Sequence, residues 1–170
     1  CKGTGLRRSE LMELRGKDLV TRAQIEDEIA RLNALPAGER SAAADKRLEM
    51  LQDTRLFDEE YFTHVRNGKG GRERLSPIIG RFAGQIIGRI RETPAEEKVW
   101  QYVNTNADIH GYRAEYATAI YKTHARPIQD IPYDRVHRGT GRRYQSEVYT
   151  CRKDEAGKKL DKAAMLVCSK

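Results

Sequence analysis

No apolar run in these 170 residues approaches the ~20 that a helix needs to cross a bilayer, so a membrane span is not expected. Cysteine is scarce as well. Cys1, Cys151 and Cys168 are odd in number and far apart, and they form neither a C-x-x-C pair nor a zinc pattern with the four histidines. That sets aside a disulfide scaffold and a zinc module, and points to reduced thiols in a cytoplasmic protein. A convincing carboxylate cluster is missing too, which disfavours a metal-dependent nuclease. The G-x-x-x-x-G-K-[ST] signature of a phosphate-binding P-loop is absent. There is no internal repeat and no extended low-complexity segment, and aromatic residues make up only 7%.

What is present is charge. Charged residues are 34% of the chain, the formal net charge is +7, and the pI is near 9.4. A basic balance favours a polyanionic partner, although by itself it is a weak signal. The length suits a single core, so one domain over 1–170 is expected.

The hydrophobic periodicity predicts a mainly α protein with a small antiparallel β-hairpin, an α+β class. Ser9 to Leu14 reads as a helix with Leu6, Leu11 and Leu14 facing the core and Glu10 and Glu13 outside. Ile25, Ile29, Leu32 and Leu35 make a narrow helical stripe. Pro36 and Gly38 break it, and Ser41 caps a second helix carrying Leu48, Leu51 and Phe57 on one side. Residues 22–56 are thus expected to form a helical hairpin, read as an insertion with a structural role. Tyr61–Arg66 and Arg74–Ile79, separated by a glycine-rich turn, predict a β-hairpin over 61–79. Residues 81–91, 95–103 and 110–122 read as helices, the last burying Tyr112, Tyr116, Ala119 and Ile120. Residues 126–143 read as a long loop, Tyr144 to Cys151 as a strand, and Leu160 onward as a helix still running at Lys170.

Three basic segments stand out: Thr4-Gly5-Leu6-Arg7-Arg8-Ser9-Glu10-Leu11, Asn67-Gly68-Lys69-Gly70-Gly71-Arg72-Glu73-Arg74, and His110-Gly111-Tyr112-Arg113. A phosphodiester under attack gathers negative charge on its non-bridging oxygens. Two guanidiniums can clamp those oxygens with forked hydrogen bonds, and an ammonium can protonate the departing sugar oxygen. Singly, each segment has a dull explanation: a helix start with an Arg–Glu pair, a solvated turn with a basic tip, a structural histidine. Together, and in this order, they resemble the tyrosine recombinases, the phage-integrase family of DNA strand exchangers.

The resemblance covers nearly the whole chain. It rests on T-G-L-R-x-S-E-L at the first segment, a G-K-G hairpin at the second and an H-x-x-R box at the third. It implies an integrase-type catalytic domain that cuts and rejoins DNA through a 3′-phosphotyrosyl link, with no cofactor and no metal. Arg7 and Arg113 match the phosphate-clamping arginines, Lys69 the general acid, and His110 the residue that supports proton transfer. Glu10 can hold a nearby backbone or guanidinium group. Arg72 and Arg74 are expected to steady the DNA backbone, and Arg8 to face solvent or DNA. The partners implied are double-stranded DNA and further recombinase protomers. Ala114-Glu115-Tyr116 departs from the commoner H-T-F and resembles integrases of mobile elements in bacteria or phage.

Two parts of the family pattern, an L-G-H motif and a nucleophilic tyrosine, are expected beyond Lys170, with 160–170 as the start of the helix leading there. Tyr133, Tyr144 and Tyr149 precede that place and are read as loop or strand residues. The chain is accordingly expected to be a partial domain, inactive alone. A non-catalytic basic DNA-binding module and a type IB topoisomerase-like enzyme are the competing readings.

Overall fold

The computed structural model of the chain describes residues 2–36, 38–132, 135, 136, 138–141, 143, 144 and 147–168. The chain is mixed α+β and divides within one helix into two units, residues 1–116 and 117–170.

The first unit opens with α1 (Arg8–Glu13), a 3-10 turn at Gly16–Asp18, and β1 (Leu19–Thr21). Two helices follow, α2 (Arg22–Ala34) and α3 (Ala42–Asp53), then β2 (Tyr61–Val65), β3 (Arg74–Pro77), α4 (Ala83–Glu92) and the start of α5 (Ile109–His124). The expected helical hairpin is α2 and α3, which pack on each other. Thr21 and Ser41 cap them, accepting from the amides of Gln24 and Ala44. Ile25, Ile29, Leu48, Leu51 and Phe57 are buried, while Leu35 at the helix end is exposed.

The expected β-hairpin gains an unforeseen third strand, giving an antiparallel sheet in the order β1-β2-β3. Leu19 pairs with Thr63, and Thr63 with Ser76. A strand of three residues is too short to show its own alternation. The central strand β2 is buried from Phe62 to Val65, so both of its faces are covered. Alternation puts Phe62 and His64 on one face, where Arg22 of α2 lies over the Phe62 ring and Arg47 of α3 reaches His64. Val65, on the other face, joins the core of Leu6, Leu11, Leu14, Ile78, Ile90 and Val99.

Residues 95–103, expected to be helical, are not. Their backbone groups are taken by the segment after α1: the amides of Gly16 and Lys17 donate to the carbonyls of Glu97 and Ala95, and Val99 donates to Leu14. Tertiary hydrogen bonds thereby replace helical ones, and Val99 is delivered to the core.

The second unit holds the rest of α5 and the short hairpins β4 (Arg135–Val136) with β5 (Arg143–Tyr144) and β6 (Val148–Thr150) with β7 (Lys159–Asp161). The expected long loop therefore contains a hairpin, and the expected strand from Tyr144 is split between two. Ile120 is buried as expected, whereas Ala119 faces solvent. The last helix, α6, runs Lys162–Val167 with Cys168 as its C-cap, and the expected continuation to Lys170 falls on residues outside those described. Asp161 organises this region. Its buried carboxylate accepts a fork from Arg126 at 2.8 and 2.9 Å and caps the amide of Ala163 at 2.9 Å. Among the described residues no helix is long and apolar enough to cross a membrane.

Candidate functional site

The site begins with a carboxylate the sequence pattern placed outside. Glu10 lies on the first turn of α1, and its side chain is only 2% exposed. The amide of Arg7 donates to its Oε2 at 2.8 Å, and the Arg7 guanidinium donates to its Oε1 at 2.8 Å. Arg74, the first residue of β3, spans the same carboxylate with a fork, Nη1 to Oε1 at 3.0 Å and Nη2 to Oε2 at 2.7 Å. Arg113 brings Nη1 to 4.0 Å from Oε2. Three guanidiniums drawn from residues 7, 74 and 113 therefore meet one carboxylate. Their side chains remain 21–39% exposed, so the surplus positive charge opens to solvent.

The electrostatics follow from that count. Burial by itself raises the pKa of Glu10, but the Arg74 fork, the Arg7 amide and the guanidinium charges outweigh it. They hold the carboxyl at about 2, below its ordinary 4.5. Burial shifts the Arg113 pKa downward, and the neighbouring Arg7 charge adds to the effect while Glu10 opposes it. Arginine stays protonated through such a shift, so the cluster keeps its positive excess.

The first and third basic segments are joined by α5. Arg113 donates to the carbonyl of Gly5. Gly5 takes φ +61, and the Tyr116 ring lies where its Cβ would be, 2.4 Å from the ring's Cδ1. The Tyr116 hydroxyl donates to the carbonyl of Pro77 at 2.8 Å, and Ser76 Oγ donates to the carbonyl of Thr4 at 2.8 Å. Tyr116, the departure from H-T-F, thus ties α5 to β3 and to the Thr4-Gly5 turn.

Lys69 sits on the loop between β2 and β3. The Gly71 amide closes a turn onto the carbonyl of Gly68 at 2.9 Å, with Lys69 second in the turn and Gly70 third at φ +75. Gly68 packs against the cluster: a Cβ there would meet Arg74 Nη1 at 2.9 Å and Glu10 Oε1 at 3.4 Å. Lys69 is the next residue. It and Arg72 are exposed.

His110 is the second residue of α5 and is exposed, one turn from Arg113. The helix start was not legible as a cap, yet Asp108 serves as one, accepting from the Gly111 amide at 2.8 Å. The signal that could have found it is an aspartate immediately before the first helical residue, Ile109. Arg8 is half-buried, and its guanidinium donates to the carbonyls of Val103, Asn104, Thr105 and Ala107, at 2.6 to 3.1 Å. It is a bolt for the loop that leads into α5, because a planar fork can serve several carbonyls at once. Arg74, expected to steady DNA from outside, belongs to the Glu10 cluster.

Tyr133 lies outside the described residues, and Tyr144 is described only as part of β5. Tyr149 is exposed on β6, in the second unit. Among the described residues no group of histidine, cysteine and carboxylate side chains is suited to a metal ion. Compared with models of known protein families, with curated proteins and with solved structures, the chain matches none.

The depressed Glu10 pKa has a signed consequence. A carboxyl whose pKa falls on folding contributes stability that is present above its unfolded value and lost as pH drops through the folded one. The window here runs from about 4.5 down to about 2. Glu10→Gln should therefore cost about 2–3 kcal/mol at neutral pH, and the difference should shrink across that window. Asp161 is held at about 2 by Arg126 and loses stability in the same range, so only the difference between the two proteins isolates Glu10. Urea unfolding at several pH values checks it. A difference that stays constant to pH 2 would remove the charge from the account.

Proposed function

We propose that this chain is the phosphate-gripping core of a tyrosine-type DNA recombinase, with an integrase-type fold. Its reaction is site-specific integration or excision of a mobile element. The observation that carries the reading is the convergence of Arg7, Arg74 and Arg113 on buried Glu10, with Gly68 of the lysine loop packed against the same group.

In this mechanism a tyrosine oxygen bonds to the phosphorus and the bond to the 5′ oxygen breaks. The leaving oxygen takes a proton from Lys69. The surplus guanidinium donors of Arg7 and Arg113 face the negative charge that builds on the non-bridging oxygens, and His110 supports proton transfer. Glu10, and for Arg113 the carbonyl of Gly5, hold those guanidiniums in place, so little reorganisation is needed when charge develops. The 5′ hydroxyl of a partner strand reverses the step. The bond energy stays in the phosphotyrosyl link, so no ATP is consumed. The attacking tyrosine is assigned to no residue of this chain. Partners are duplex DNA and further protomers.

The test has two arms. This chain should bind duplex DNA weakly, with little sequence preference, and log K should fall against log salt by about 0.9 per phosphate contact. Fluorescence anisotropy at several salt concentrations measures it, and a flat response would remove the electrostatic surface. In the protein as its gene encodes it, Arg113→Ala should abolish strand cleavage while DNA binding persists. Proportionate loss of both would instead make the cluster a binding surface without catalysis.

A further inference from the structure

The lysine loop is closed by two backbone hydrogen bonds, from Gly68 to the carbonyl of Arg72 and from Gly71 to that of Gly68, while its tip stands in open space. Its first residue, Arg66, donates Nε to Asp18 at 3.0 Å, and Gly68 packs on the Glu10 cluster. Lys69 is exposed, and nothing lies within 4 Å of where a Cβ on Gly70 or Gly71 would point. At the far end stands Glu73, next to Arg74. Glu73 is the one carboxylate among residues 66–73, so it is the loop's one anionic handle.

That handle is held from the helical hairpin. Arg47, in the middle of α3, donates Nη1 to Glu73 Oε1 at 2.7 Å. Its other nitrogens fork onto Glu28 of α2, Nε to Oε1 at 2.8 Å and Nη2 to Oε2 at 2.9 Å. His64 of β2, 5% exposed, completes the group with Nε2 at 2.5 Å from the same Glu73 oxygen. Burial lowers the pKa of His64, and the hydrogen bond between its Nε2 and Glu73 opposes that shift.

We infer that Arg47 is a positioning residue for Lys69, coupling the 22–53 helical hairpin to the lysine loop through Glu73. The consequence for catalysis rests on the function proposed above, while the mechanical link does not. The hairpin otherwise contributes no side chain to the Glu10 cluster, and this tie gives it a role beyond covering one face of the sheet.

Amide hydrogen exchange on this chain tests the link. In Arg47→Met, the Gly68 and Gly71 amides, which close the loop, should exchange at least about tenfold faster, the order expected for losing a charge-assisted anchor. The ladder amides of β2 and β3 should keep their protection. Arg47→Lys, which keeps the charge but not the fork, should loosen the loop less. Unchanged loop amides would overturn the inference, and so would equal acceleration of loop and ladder, which would make Arg47 a general stabiliser. Cleavage by the protein as its gene encodes it separates the two claims. Arg47→Met should slow the step that Lys69→Ala slows, with DNA affinity retained. If Lys69→Ala is silent, the proposed function falls and the link is judged by exchange alone. If Lys69→Ala slows cleavage and Arg47→Met does not, the inference falls and the function stands.

Discussion

Lys69→Ala, in the protein as its gene encodes it, is expected to slow DNA strand cleavage by about 10²–10⁴-fold, the usual worth of a general acid. Affinity for DNA should change little. Lys69 is exposed, so its removal disturbs no packing, and the turn around it depends on Gly70 and the Gly71 amide. The loss falls on one proton, the one delivered to the departing 5′ oxygen. A substrate with sulfur at that bridging position leaves readily without protonation and should restore the mutant's rate selectively. If the sulfur substrate helps wild type and mutant alike, Lys69 is not the acid. The loop would then be a DNA contact like its neighbour Arg72.

Gly5→Ala should destabilise the first unit by about 3 kcal/mol, combining about 1–2 for the left-handed backbone and the rest for overlap. The overlap is with a ring, not with the end of a flexible chain: the new Cβ would lie 2.4 and 2.6 Å from Tyr116 Cδ1 and Cε1. Tyr116 has little room to yield while its hydroxyl is bonded to the carbonyl of Pro77. Any shift also moves the carbonyl that receives Arg113. Gly70→Ala is the control. It has a similar φ of +75 with nothing within 4 Å, so it should cost only the backbone part, about 1–2 kcal/mol. Urea unfolding of the two variants measures the difference. Equal costs would show that Tyr116 exerts no packing constraint on the first basic segment.

Much of the fold was legible because it is local. The stripe of Ile25 and Ile29, the cap at Ser41, and the runs of strand formers around a glycine-rich turn each report on neighbours within a few residues, and the helices and hairpin appear where those signals lie. The failures are non-local. Residues 95–103 have helical spacing, but their carbonyls and amides are claimed by residues 14–17. Strand β1 is short and becomes a strand only because β2 is beside it. The four carbonyls at 103–107 that Arg8 serves were likewise not visible in residue order.

The candidate site divides the same way. Arg7, Lys69, His110 and Arg113 were singled out because their three segments, taken together and in order, resemble a family pattern, and such a pattern survives in linear order. What residue order does not carry is which charges meet. Glu10 reads as an outward residue of a short helix that can hold a nearby backbone or guanidinium group, as it does with Arg7. It becomes the buried centre of the cluster only when β3 delivers Arg74 and α5 delivers Arg113. Glu73 likewise reads as a turn residue until α3 brings Arg47 to it. Chemical identity is a property of each side chain and can be read from the chain alone. Burial, and with it the energy of every ion pair here, depends on which distant segments exclude water from the pair, and that was decided only by the tertiary structure.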